Sequence, residues 1–356
     1  MAKKDIFLLA MLIFVPISVV VEWLHVNPVV VFIVSGLAII PLAAWIANST
    51  EAIATVIGAA FGGLLNATFG NATEMIVSIV ALKAGLVDVV KASLTGSLIA
   101  NLLLALGLAI LVGGLRFSEQ SFQPTVARIN ASSLTLAVIV LLTPAAMQLT
   151  SKGLPLSTIN NFSRTAAILL LAFYCLMQVF SMKTHSHIYL LEDAEGDVCE
   201  SSKNVNLKLQ ISILLGCTIA LVFVSEILVG SLEKAISSLG LTSLFTGVIL
   251  IPIFGGIVEY ITSVTFAIKN KMELAVAVAI GSSLQIAMFV APILVLVGWV
   301  LNQPMNLDFN LFEIVAVAMA VAIANSISSD GRSNWLEGVL LLMSYAILGT
   351  AFYFHP

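Results

Sequence analysis

The sequence predicts an all-α polytopic membrane protein of eleven transmembrane helices, one N-terminal helix followed by two inverted five-helix repeats. Three observations carry that prediction. Hydrophobic residues fill 60% of the 356 positions and charged residues 10%, with a mean hydropathy of +1.11, which leaves too little polarity to cover a water-facing surface. The apolar residues fall into eleven runs, each near the roughly 20 residues a helix needs to cross a bilayer. Polar residues then recur at matching spacings on the two sides of an acidic stretch in the middle of the chain.

The first run, 6–24, follows Lys3 and Lys4 and flows into Glu22 and His25 without a small-residue cleavage site. It therefore reads as a retained transmembrane helix, not a signal segment. Asn27-Pro28 breaks the chain before 29–48. The runs 56–82 and 88–114 are parted by Lys83 to Asp88; 128–149 is bounded by Arg116 to Arg128 on one side and Ser151-Lys152-Gly153 on the other. After 161–183 comes the linker, then 206–230, 240–268 and 273–300, the break at Asn302-Gln303-Pro304, the run 310–329, the break at Ser329-Asp330-Gly331-Arg332, and 335–354. The organisation is an N-terminal helix in 1–27, a first repeat in 28–183, a linker in 184–205 and a second repeat in 206–356. An odd number of spans puts the two ends on opposite sides. A cytoplasmic N-terminus places ten of the fifteen Lys and Arg residues inside, the orientation that basic loops favour.

The linker holds Leu191-Glu192-Asp193-Ala194-Glu195-Gly196-Asp197-Val198-Cys199-Glu200, the strongly acidic stretch of the chain, with His185 and His187 before it and Lys203 after it. Such a run reads first as a solvated connector on the cytoplasmic face. Two histidines alone leave a metal site incomplete, and Cys175, Cys199 and Cys217 are too scattered for a disulfide framework or a thiolate cluster.

On either side of the linker the spacings agree. Glu74 lies 22 residues before Gly96-Ser97 and Glu259 lies 22 before Gly281-Ser282, while Asp88 and Glu273 each follow their glutamate by 14. Equivalent helices are displaced by five spans and so cross the membrane in opposite senses, an arrangement typical of secondary transporters. A charged side chain at the bilayer centre costs roughly 2.5–3.5 kcal/mol on insertion scales, so an acid placed there faces a partner, an ion or water. Here the acid occurs twice, and neither span carries a Lys or Arg.

Helical spacing puts Asn71, Glu74 and Ser78 on one face, and Glu259, Thr262 and Ser263 on another. Ser97 with Asn101 and Ser282 with Gln285 supply more oxygens from neighbouring helices. Carboxylate, amide and hydroxyl oxygens suit a hard divalent cation better than a thiophilic one. The hydroxyls are equally suited to bonding backbone carbonyls or bridging helices. Glycines at 58, 62, 63 and 70, and at 247, 255 and 256, permit close helix contact and local loosening of the backbone.

The stretch Gly62-Gly63-Leu64-Leu65-Asn66-Ala67-Thr68-Phe69-Gly70-Asn71-Ala72-Thr73-Glu74, with Gly96-Ser97-Leu98-Ile99-Ala100-Asn101 and Gly281-Ser282-Ser283-Leu284-Gln285-Ile286, resembles the calcium/proton exchanger family of the calcium/cation antiporter superfamily. Asp330-Gly331-Arg332-Ser333-Asn334-Trp335-Leu336-Glu337-Gly338 is similar to that family too. The second motif departs from it: members commonly read Gly-Asn-Ala-Ala-Glu-His where this chain has Gly255, Gly256, Ile257, Val258, Glu259 and Tyr260. The resemblance implies Glu74 and Glu259 as cation ligands, a cytoplasmic acidic segment, and a role in ion access or proton transfer for Glu51 and Glu226, which lie near the ends of the helices before the motif helices. It implies exchange of Ca²⁺ for H⁺ by alternating access, with Ca²⁺ a transported substrate and no cofactor; Mn²⁺ is a second candidate cargo.

Two rivals share parts of this reading. A sodium-coupled calcium exchanger has the same inverted architecture, but that branch usually carries a proline before the motif acid, where this chain has Thr73 and Val258. A cation channel would use similar ligands, although inverted repeats favour alternating access. No nucleophile–base constellation or metalloprotease motif points to an enzyme. The expected partners are the lipid bilayer and the two ions, without nucleic acid; homo-oligomerisation is left open. The short N-terminus leans toward a prokaryotic plasma membrane, with a vacuolar or other acidic organelle membrane as the alternative.

Overall fold

A computed structural model describes residues 3–151, 154–189 and 205–355. The acidic stretch Glu192 to Glu200 lies outside the described residues. Within them the chain is helical apart from one two-stranded ribbon. In order the elements are α1 (Lys3–Met11), α2 (Phe14–Trp23), α3 (Pro28–Ile57), α4 (Ala59–Phe69), α5 (Ala72–Lys83), α6 (Val87–Ile99), the π-helical segment π1 (Ala100–Ala105) and α7 (Leu106–Arg116). Then come β1 (Gln120–Ser121), α8 (Pro124–Thr150), α9 (Leu156–Val179), π2 (Phe180–Thr184) and α10 (Ser186–Tyr189). The remainder comprises α11 (Leu207–Leu239), α12 (Ser243–Phe245), π3 (Thr246–Leu250), α13 (Ile251–Gly255), α14 (Ile257–Ile268), α15 (Met272–Gln285), π4 (Ile286–Val290), α16 (Ala291–Val300), α17 (Leu311–Ile327), β2 (Arg332–Ser333) and α18 (Trp335–Phe354).

Among the described residues eight helices are long and apolar enough to cross a membrane, or nine when Ser243–Gly255 and Ile257–Ile268, bent by 58°, form one span. The remaining two predicted runs are covered differently. The run 310–329 is the 17-residue α17, and 56–82 divides into α4 and α5 at Gly70-Asn71. The chain is thus an all-α polytopic membrane protein. On the outer helices Leu215, Ile219 and Phe223 of α11 and Leu340, Met343 and Ile347 of α18 are exposed at helical spacing, the pattern of a surface solvated by lipid.

The described residues fall into two compact units, one within Met1–Val80 and Tyr174–Gly240, the other within Ala81–Phe173 and Leu241–Pro356. In the first, α3 packs along α11. Its buried stripe Phe32, Ser35, Ile39, Leu42, Ile46 answers Leu221, Ser225, Leu228 and Leu232, steps of three and four that keep one face toward the partner helix. Ser35 and Ser225 satisfy themselves by donating to the carbonyls of Val31 and Leu221, both at 2.7 Å. Asn27 starts α3 by accepting the Val29 N–H at 2.9 Å, with Pro28 in the first turn. The helix α11 runs nine residues past its predicted end and stops at Gly240, whose φ of +65° is open to glycine. Glu226 is therefore mid-helix, not near an end; Glu233 and Lys234 carry the helix on beyond the apolar run.

In the second unit α6, π1 and α7 form a continuous core span, with Ile99, Leu102, Leu103, Leu106 and Ile110 at most 1% exposed. The helices α14, α15 and α18 pack on it. Asn310 opens α17 and Asn334 opens α18, each in a capping box with the glutamate three residues on. The second box belongs to the Asp330–Gly338 motif, which thus caps α18 and supplies β2. Its β2 pairs antiparallel with β1, Gln120 opposite Ser333. Gln120, 2% exposed, then donates to the Ala267 carbonyl and to Oδ1 of Asn270, both at 2.9 Å, joining the ribbon to the turn between α14 and α15.

Candidate functional site

The two motif acids occupy the same local structure. Glu74 and Glu259 each stand in the first turn of a helix that begins at a break, α5 after Gly70-Asn71 and α14 after Gly256. The correspondence extends over the neighbouring elements at a spacing of 185 residues, from Ala72–Lys83 to Ile257–Ile268, from the start of α6 at Val87 to that of α15 at Met272, and from the end of π1 at Ala105 to that of π4 at Val290. Free N–H groups and the aligned peptide dipoles at such a helix start favour a nearby negative charge. Discontinuous helices of this kind are the usual sites of ion binding in repeat-built transporters.

In the first unit Glu74 is 7% exposed, and Asn71 and Ser78 are 3% exposed. Its Oε2 has no hydrogen-bond partner among the described residues, an arrangement that is costly unless a proton, a cation or water completes it. Glu51 and Glu226 lie in the same unit on the packed helices α3 and α11, and both are exposed.

In the second unit Glu259 is half-buried on α14, Ser282 is buried and Gln285 half-buried on α15, and Ser97 and Asn101 are buried on α6 and π1. The helices α14 and α15 pack on each other and both pack on π1. Five of the seven sequence-predicted ligands thus share one unit, while Asn71 and Glu74 belong to the other. Oδ1 of Asn101 has no partner among the described residues.

The altered second motif has a structural explanation. Tyr260 is 7% exposed and its hydroxyl donates to the Pro252 carbonyl at 2.9 Å, across the helix break. The ring lies against Gly256, where an added Cβ would come within 2.7 Å of the hydroxyl and 2.8 Å of Cζ. Tyr260 braces the 58° bend, and Gly256 makes room for it. Tyr260→Phe is expected to lower stability by about 1 kcal/mol through the lost hydrogen bond, and Gly256→Ala by about 1–3 kcal/mol through overpacking. Melting in detergent checks this: wild-type midpoints for both variants would exclude the brace.

Two features have no clear mark in the sequence. The segment π1 contains Asn101 and π4 begins directly after Gln285, and π bulges occur often at functional sites. The second feature concerns hydroxyls. Ser35, Ser225, Ser231 and Ser283 bond back to carbonyls three or four residues earlier, whereas Ser49, Thr50, Thr246 and Ser263, all at most 1% exposed, have hydroxyls without a partner among the described residues. Ser263 stands one turn beyond Glu259, as Ser78 does beyond Glu74. The signal that could have found Ser49 and Thr50 is the polar run Asn48-Ser49-Thr50-Glu51, of which the sequence reading uses only the glutamate. His185, half of the incomplete histidine pair, stacks on Phe180 with ring centroids 4.1 Å apart.

Comparison with known proteins gives a consistent result. A family described as sodium/calcium exchanger protein matches residues 27–183 and 209–354. A Ca(2+)/H(+) antiporter of Aphanothece halophytica is 54% identical, covering 100% of this chain and 98% of that protein. A Ca(2+)/H(+) antiporter of Synechocystis is 53% identical, covering 100% and 99%. The solved structure of native YfkE superposes with a TM-score of 0.84 at 36% identity, covering 98% of this chain and 100% of that one.

Proposed function

The chain belongs to the sodium/calcium exchanger protein family, and within it we propose that the protein is a secondary antiporter exchanging Ca²⁺ for H⁺ across a membrane by alternating access. One observation carries the mechanism: an acid in the first turn of a broken helix, once in each half of the sequence, at equal helix bounds 185 residues apart (72 to 257). Each carboxylate sits in an apolar span where an uncompensated charge is expensive. Either a divalent cation or protons must neutralise it. If the empty, doubly charged protein does not reorient, the two ions become obligatory counter-substrates.

In this reading Glu74 and Glu259 carry the cation or the protons. Asn71, Ser97, Asn101, Ser282 and Gln285 contribute neutral oxygens of the kind that hard cations accept. Glu51 and Glu226, exposed on α3 and α11, serve ion access or proton transfer. Repeats at 28–183 and 206–356, an N-terminal helix in 1–27 and a cytoplasmic linker at 184–205 complete the organisation, supported by the repeated helix bounds. The prokaryotic plasma membrane is the proposed location, in keeping with the cyanobacterial relatives.

The test is ion uptake into proteoliposomes under an imposed pH gradient, comparing Ca²⁺, Mn²⁺ and Na⁺. Calcium uptake driven by the pH gradient and indifferent to sodium is expected. Uptake that follows a sodium gradient, with no response to pH, would replace the reading with sodium-coupled exchange. Flux that neither saturates nor needs a counter-ion would point to a pore.

A further inference from the structure

Lys91 lies early in α6, inside an apolar span, and its ammonium is built into an oxygen cage. Nζ donates to Oδ1 of Asn306 at 2.6 Å and to the carbonyl of Asp308 at 2.7 Å, with the Phe309 ring centroid 5.9 Å away. The cage is itself tied down. Asn306 donates to Oδ1 of Asn160 at 3.2 Å, the Leu307 N–H donates to the Ser163 hydroxyl at 2.9 Å, and the Asp308 N–H donates to Oδ1 of Asn306 at 3.2 Å. Gln148 of α8 donates to the Asp308 carboxylate.

One turn beyond Lys91 the same face of α6 is held again. The Thr95 hydroxyl stands 3.2 Å from Oε1 of Glu313 and shares its one proton with the carbonyls of Ala92 at 3.1 Å and Lys91 at 3.2 Å, and Oε2 of that glutamate accepts the Asn310 N–H at 3.1 Å. Glu313 is 3% exposed. Asp88 precedes Lys91 by three residues on the same helix. Residues of α6, α8, α9 and α17 and of the connection before α17 therefore converge on one positive charge, and all of these residues lie in one unit.

The repeat does not require this network. The positions 185 residues after Lys91 and Thr95 are Val276 and Ile280, so only one half carries it. A lysine near a helix end ordinarily reaches for solvent; this one turns to protein oxygens, which offset the cost of removing its charge from water. Six residues further along α6 is Ser97, and four beyond that Asn101. Between them and the cage Gly96 is pressed on the Val248 backbone. The rotation of α6 is thus set from two sides immediately before the residues read as ligands.

We propose that Lys91 is a positioning residue for cation binding, a tethered ammonium that fixes α6 so that Ser97 and Asn101 keep their direction. This rests on the reading of those two residues as ligands. The experiment measures half-saturating Ca²⁺ and maximal rate of pH-driven uptake in proteoliposomes for the wild type, Ser97→Ala, Asn101→Ala, Lys91→Met and Asn306→Ala. Lys91→Met is expected to raise half-saturation about tenfold or more, the scale of a lost charge-assisted hydrogen bond, with a smaller change in maximal rate. Asn306→Ala, which keeps the charge and opens its cage, shifts in the same direction and decides the matter if Lys91→Met does not fold. Unchanged half-saturation in Ser97→Ala and Asn101→Ala would overturn the ligand reading, and this inference with it. A rise in those two, with Lys91→Met and Asn306→Ala at the wild-type value or altered only in maximal rate, would overturn the positioning role alone.

Discussion

Glu74→Gln is expected to abolish pH-driven Ca²⁺ uptake while leaving the folded protein intact. The substitution keeps the volume of a side chain that is 7% exposed and removes the charge that a divalent cation must balance. Even the loss of groups outside a metal's ligand set costs about 10- to 100-fold in affinity or activity, so loss of a ligand carboxylate should exceed on the order of 100-fold. Glutamine also has nothing to exchange with the proton gradient, so raising Ca²⁺ should not restore coupled flux. Reconstituted Glu74→Gln protein that melts like the wild type and still exchanges at full rate would falsify the mechanism.

Gly96→Ala should impair both stability and uptake, for a packing reason. A Cβ at position 96 would stand 2.3 Å from the Val248 carbonyl oxygen and 2.5 Å from its Cα, backbone atoms that cannot rotate away. The helix α6 and the segment π3 must then separate, at a cost of about 1–3 kcal/mol for overpacking, and Ser97 moves with α6. The equivalent glycine of the other half is the control. At Gly281 a methyl group would meet nothing within 4 Å, and alanine is favoured over glycine in a helix by about 1 kcal/mol. Gly96→Ala should lower the melting midpoint and the uptake rate, and Gly281→Ala should leave the midpoint unchanged or raised. Equal melting of the two variants would show that the close approach at Gly96 is not maintained in the membrane.

Much of this is legible in the sequence because membrane helices leave long signals. Apolar runs, turn residues and the recurrence of acid, glycine and serine at fixed spacing locate the helices and their repetition. What the sequence does not announce is where a helix is interrupted. Gly70-Asn71 and Gly255-Gly256 lie within apolar runs, and only the backbone reveals that both acids begin a new helix. The apolar run understates the reach of α11 for a related reason, since hydropathy ends where lipid ends, while hydrogen bonding continues to Gly240. The purpose of Tyr260 shows only in the bond from its hydroxyl to the Pro252 carbonyl. Nothing near Lys91 in the sequence marks it as held, because its partners lie more than 200 positions away, at Asn306 and Asp308.

The π segments bear on how the long spans are read. An α-helix advances each side chain by about 100°, so one extra residue in a turn shifts the phase of everything after it by that amount. The span Val87–Arg116 changes phase at Ala100–Ala105. Ahead of the shift lie the polar positions Thr95 and Ser97, with Asn101 at its start; behind it lies the apolar stripe of α7 that packs against α18. Two surfaces that one straight helix would hold in fixed angular relation are set independently. A single deletion within the segment would put them back in step, moving one of them off its partner without altering any residue on either.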